Sequence, residues 1–131
     1  MLFDTHAHYD DERFDADRDA LLSSMPANNV GLILNPGCDL DSSRKAVSYA
    51  QKYPFMYAAA GIHPENIDEN WNNDLAVIKE LAQNEPKVRA IGEIGLDYYW
   101  ENGRACPCAA AGRVCAADGA CARAGQAGYR A

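Results

Sequence analysis

Val30-Gly31-Leu32-Ile33-Leu34-Asn35 is an apolar run of strand length that turns polar only at its last residue. A strand with one wet face would alternate apolar and polar side chains. A continuous run belongs to a strand covered on both faces, as in a parallel sheet flanked by helices. Pro36-Gly37 punctuates its end.

Outward from this run the chain alternates between strand and helix patterns. Upstream, residues 1–8 read as a short strand passing from apolar to polar, and the acidic run from Asp10 to Asp19 leads into a helix. Carboxylates favour a first turn because they oppose the positive end of the backbone dipole. Asp15 is the expected N-cap, Leu21, Leu22 and Met25 the buried stripe, and Pro26 the stop. The spacing of Asp15, Asp17 and Asp19 imitates the start of a calcium loop. Ala20 and Pro26 stand where such a loop needs its glycine and its bidentate glutamate, so calcium is set aside.

Downstream, Asp41 or Ser42 caps a second helix through Tyr53, with Ala46, Val47 and Ala50 facing inward and Pro54 ending it. A third strand over 55–61 leads to Ile62-His63-Pro64. Trp71, Leu75, Ile78 and Ala82 recur at helical spacing and predict a helix over 71–84, followed by a strand over 88–94. Four strands interleaved with three helices imply an α/β fold with right-handed parallel crossovers.

With 131 residues the chain can hold one modest domain. Its 19 acidic and 12 basic residues leave no basic footprint for duplex DNA or an anionic membrane surface. No run reaches the roughly 18 apolar residues that span a bilayer. No basic segment precedes an apolar run at the amino end, so no signal peptide is expected and the cytoplasm is the default location. Nothing indicates a protein partner. Charge breaks sharply after Gly103: residues 1–103 hold 18 acidic and 8 basic side chains, whereas 104–131 hold Asp118 and four arginines.

Polar residues stand where each strand runs out: His6 and His8, Asn35, His63, and Glu93 with Asp97. Ligands of parallel α/β folds collect at the carboxyl ends of strands, so side-by-side strands would bring these residues together. In an extended strand residues i and i+2 share a face, which would let His6 and His8 reach one metal ion. Alone, the pair reads more readily as exposed imidazoles, Glu93 equally as a strand-end carboxylate, and His63 also as a cap on the backbone. Cys38 is read as a small buried residue and not as a nucleophile, since no activating base adjoins it in sequence.

Phe3-Asp4-Thr5-His6-Ala7-His8, Pro36-Gly37, Gly61-Ile62-His63-Pro64 and Gly92-Glu93-Ile94-Gly95-Leu96-Asp97-Tyr98 follow one another in this order. Together they resemble the amino-terminal half of the TatD family of metal-dependent hydrolases and DNases, over residues 1 to about 101. The resemblance implies a partial TIM (β/α)8 barrel of amidohydrolase type, about the first four strands and three helices, with an open edge. It implies two divalent ions, magnesium, manganese or zinc, with His6 and His8 on one and Glu93 bridging both. It also implies a substrate contact at His63, Asp97 supporting the ligands, and Asp4 packed or hydrogen-bonded behind the histidines. The expected activity is cleavage of phosphodiesters at DNA ends by metal-activated water.

The family pattern further calls for two histidines from later strands and a carboxyl-terminal aspartate that handles the proton. This chain's histidines are His6, His8 and His63, and it offers no candidate for that general-base aspartate. A second ion would be left with Glu93 and held weakly, so the chain as written is expected to be inactive. The alternatives are a hydrolase of another ester, such as aminoacyl-RNA, or a non-catalytic metal-binding fragment. The expected division is a hydrolase-type part over 1–103 and a tail over 104–131. The tail holds eleven alanines, four glycines and Cys106, Cys108, Cys115 and Cys121, with Val114 its one branched aliphatic. It has almost nothing to bury and reads as frame-shifted or disordered sequence, against the alternative of a genuine low-complexity tail. Its cysteines lack the spacing and the histidines of a zinc site.

Overall fold

The structure, a computed structural model, describes residues 1–95; Asp97, the tail from 104 onward and the tail's cysteines lie outside the described residues. In chain order the elements are β1 (Leu2–Asp4), α1 (Arg18–Ser24), β2 (Val30–Pro36), α2 (Leu40–Lys52), β3 (Met56–Ala60), α3 (Trp71–Asn84) and β4 (Val88–Ile91). The strands form one sheet in the order β1-β2-β3-β4, every neighbouring pair parallel. Sequential order without a reversal is the winding of a barrel; a doubly wound sheet changes direction at a switch point.

The two faces of the sheet are filled differently. On one, Ile33, Met56, Ala58, Ala60, Val88 and Ile91 pack with Leu22, Ala46, Val47, Ala50, Ile78 and Ala82 of the helices. On the other, Leu34, Ala59 and Ala90 form a smaller cluster with Tyr57 against it. Residues 56, 58 and 60 of β3 therefore face the helices while 57 and 59 face away, the period of two that a strand imposes. Burying a side chain such as Ile78 stabilises the fold by roughly 1.5–3 kcal/mol. No helix of the described residues is long and apolar enough to cross a membrane.

Several local expectations are corrected. The N-cap of α1 is Asp17, without a side-chain cap bond, and not Asp15. The acidic run first makes a 3-10 turn, Glu12–Phe14, capped by Asp11. Asp15 instead accepts from the Arg18 guanidinium at 2.6 Å, and Asp19 accepts from Lys52 Nζ and Tyr53 Oη at 2.7 Å each. The α2 cap is Asp39, in a reciprocal capping box with Ser42, because Asp39 holds the extended backbone that a cap needs. β1 stops at Asp4, so His6 and His8 lie beyond the strand and not in it.

Candidate metal centre

The histidine loop after β1 is folded over the end of β2 by a chain of hydrogen bonds. The His6 N–H donates to Asp4 Oδ1 at 3.3 Å, and the Ala7 N–H donates to the Leu34 carbonyl at 3.3 Å. The Tyr9 N–H donates at 2.6 Å to Oδ1 of Asn35, a fully buried side chain whose amide nitrogen donates to Asp10 Oδ1 at 2.8 Å. Asn35 thus uses both ends of its amide to hold the residues that follow His8. Asp4 supports the loop through the His6 backbone, and its other oxygen accepts from Tyr9 Oη at 3.4 Å.

Glu93 arrives at the same carboxyl end from the opposite edge of the sheet, two residues past β4. Its N–H donates to the Gly37 carbonyl at 2.8 Å, and the Gly92 N–H donates to Ala60 at 3.1 Å. Gly61 makes this approach possible, since a Cβ there would lie 2.5 Å from the Gly92 carbonyl carbon. β1 and β4 are the outer strands of the sheet, yet their end loops meet across the ends of β2 and β3.

The meeting point holds three ligand atoms. His6 Nε2 is 3.2 Å from His8 Nε2 and 3.0 Å from Glu93 Oε1, and His8 Nε2 is 3.9 Å from the same oxygen. Ligand atoms about 2.1 Å from a tetrahedral zinc stand about 3.4 Å apart, so the three separations bracket that spacing. The rings meet edge to face, 73° apart. The Glu93 side chain is 16% exposed, against 36% and 35% for the two histidines, so the carboxylate is sheltered while the imidazoles border solvent. Among the described residues this is a group of metal-ligating side chains whose donor atoms all lie within 4.8 Å of one another. Two imidazole nitrogens and a carboxylate suit a divalent ion of the zinc or manganese kind.

Two neighbours complete the surroundings. Cys38 is half-buried, and its Sγ lies 2.8 Å from Glu93 Oε2 and 4.0 Å from His8 Nδ1. Burial, and then the Glu93 carboxylate, push its thiol well above the usual range. No local pattern announces this contact, because 55 residues separate the partners. His63 caps a 3-10 turn, Pro64–Asn66, with Nδ1 accepting from the Glu65 N–H at 3.3 Å. The His63 N–H donates to the Cys38 carbonyl at 2.7 Å. The backbone-capping role is realised, and His63 is not among the three converging ligand atoms.

Known proteins resemble this chain in sequence and in fold. A family model described as TatD related DNase matches residues 3–107. The uncharacterized metal-dependent hydrolase YabD of Bacillus subtilis strain 168 is 44% identical over 101 residues, which are 77% of this chain and 39% of that protein. The 3'-5' ssDNA/RNA exonuclease TatD of Cronobacter turicensis is 34% identical over 97 residues, 74% of this chain and 36% of its own. The crystal structure of YjjV, a TatD homologue from Escherichia coli K12, has a TM-score of 0.83 and 25% identity, covering 98% of this chain and 49% of that one. The chain spans about two fifths of the length of the curated relatives it matches. The parallel sheet of sequential order, the helices on one face and the family match make this chain a member of the TatD-related DNase family of metal-dependent hydrolases, with the partial-barrel fold of that family.

Proposed function

We propose that this chain carries part of the metal centre of a TatD-type hydrolase that cleaves phosphodiesters at DNA ends. One observation carries the reading: His6 and His8 from one side of the sheet and Glu93 from the other place three donor atoms within 4.8 Å. Divalent ions held there, two in the family's intact site, would supply Lewis-acid polarisation of a phosphoryl oxygen and acidify a water. His6 and His8 would offer Nε2 lone pairs from a loop already ordered by Asn35, and Glu93 would offer Oε1. His63 would contact the phosphate. Its place at the head of the turn that follows β3, beside the Cys38 backbone, supports this reading.

Charge narrows the substrate. Residues 1–103 carry 18 acidic and 8 basic side chains and repel a long polyanion, which favours ends and single strands. The name of the Cronobacter relative, an exonuclease of single-stranded DNA and RNA, fits this preference. The proposed setting is the cytoplasm, where the free thiol of Cys38 stays reduced. The hydrolase-type part is assigned to 1–103 and the remainder to a tail.

The 131 residues on their own are expected to release no nucleotides. They contain three histidines, and Oε2 of Glu93 faces Cys38 where a second ion would need further ligands. The test joins residues 1–103 to the remaining length of the Bacillus relative and measures nucleotide release from single-stranded DNA with manganese or magnesium. The chimera should be active, chelator-sensitive and silenced by Glu93→Ala. A well-folded chimera that is inactive, or one that keeps its rate as Glu93→Ala, would refute the assignment.

A further inference from the structure

We propose that Cys38 is a positioning residue of this centre: its thiol donates to Oε2 of Glu93 and thereby presents Oε1 to His6 and His8. The proposal rests on the metal reading above. The terminal torsion of a glutamate is broad, so an untethered carboxylate swings and offers either oxygen. Here the two oxygens are distinguished. Oε2 lies 2.8 Å from Cys38 Sγ, while Oε1 lies 3.0 Å from His6 Nε2.

The sulfur is itself well placed to act as a fixed point. The Cys38 N–H donates to Ser42 Oγ at 2.8 Å, and Ser42 belongs to the capping box of α2. The Cys38 carbonyl receives the His63 N–H at 2.7 Å and Asn66 Nδ2 at 3.0 Å. Its neighbour Gly37 accepts from the Glu93 N–H at 2.8 Å. The 37–38 segment therefore grips Glu93 twice, by its main chain and by its side chain. The sulfur does not belong to the set of converging donor atoms, so its effect passes through the carboxylate and not through the ion. Outer donors that orient a metal ligand typically change affinity by roughly 10–100-fold, and a single sulfur contact belongs near the low end.

The experiment uses the full chain with Cys106, Cys108, Cys115 and Cys121 replaced by serine, so that tail thiols cannot bind metal. Cobalt binding is followed by visible absorption and zinc affinity by competition, with circular dichroism confirming the fold of each variant. Cys38→Ala should weaken the affinity by about tenfold, while Cys38→Ser, which keeps a donor, stays within about twofold of the parent. Glu93→Ala should lose binding. An unchanged affinity in Cys38→Ala, with binding still dependent on Glu93, overturns the positioning role and leaves the metal reading intact. A thiolate-to-cobalt charge-transfer band that Cys38→Ser removes also overturns it, because the sulfur would then be a ligand. This band decides the matter even where Cys38→Ala fails to fold. A parent chain that binds no cobalt refutes the metal reading itself and the proposal with it.

Discussion

Replacing Asn35 with alanine should weaken the fold and the metal centre together. The side chain is fully buried, and its Oδ1 takes the Tyr9 N–H at 2.6 Å. Removing it leaves a buried donor with nothing to bond, which costs about 1–3 kcal/mol. The other end of the amide bonds Asp10, whose carboxylate is partly exposed and can turn to water, so its loss adds little. A loss of about 2 kcal/mol in a unit of this size lowers the melting temperature by about 10 °C. Tyr9 directly follows His8, so the freed backbone must then be ordered by the metal. Fixing one residue costs about 1–2 kcal/mol, or about tenfold in zinc affinity. Thermal unfolding and zinc competition on Asn35→Ala read the two effects separately. Asp10→Ala is the control for zinc affinity: it leaves the buried Asn35 amide nitrogen without its acceptor and should cost about 1–3 kcal/mol of stability, but it leaves the Tyr9 N–H satisfied, so zinc affinity should hold. An Asn35→Ala chain that binds zinc as tightly as the parent would refute the clamp, whatever its melting temperature.

Gly61→Ala should destabilise the chain by about 1–3 kcal/mol and weaken zinc binding, since the new Cβ meets the Gly92–Glu93 backbone, which cannot swing aside as a side chain would; paired thermal melts and zinc titrations check both. Acid should loosen the contact between α1 and α2. The Lys52 ammonium, and then Tyr53, hold the Asp19 carboxyl below its ordinary value. A depressed carboxyl stabilises the fold above the ordinary carboxylate range, and this support is lost as pH falls through the lowered value. Asp19→Asn should therefore be less stable than the parent near neutrality and converge with it in strong acid, which urea unfolding across pH will show.

How much of this was legible in the sequence depended on the range of the interaction involved. The helix over 71–84 has the predicted boundaries because Leu75, Ile78 and Ala82 repeat a long apolar face that only helical spacing can bury. The run at Val30 likewise extends, as β2, through Pro36, since it pairs with neighbours on both sides. Among the described residues β1 pairs with β2 alone, and through an irregular register, so it is shorter than its apolar lead suggested. The histidines illustrate the difference between an outcome and its cause. Their spacing predicted a shared direction from the pleat of a strand. The structure brings their Nε2 atoms within 3.2 Å, but from a loop held by Asn35 and Asp4. The clamp at Asn35 and the Cys38 contact with Glu93 join residues 26 and 55 positions apart, and no periodicity or cap pattern encodes such distances. Gly61 was legible only as part of a motif; its need for hydrogen in place of a side chain comes from the Gly92 backbone just past β4, whose carbonyl carbon lies 2.5 Å from where a Cβ would sit.

The proposed function requires that His6, His8 and Glu93 hold a divalent ion together. Zinc-edge X-ray absorption on the full chain, with its four tail cysteines replaced by serine, tests it most directly. The expected spectrum shows nitrogen and oxygen neighbours without sulfur, the scattering pattern of two imidazoles, and loss of one imidazole in either His6→Ala or His8→Ala. A spectrum with no imidazole signature, or one unchanged by His6→Ala, His8→Ala and Glu93→Ala, would contradict it.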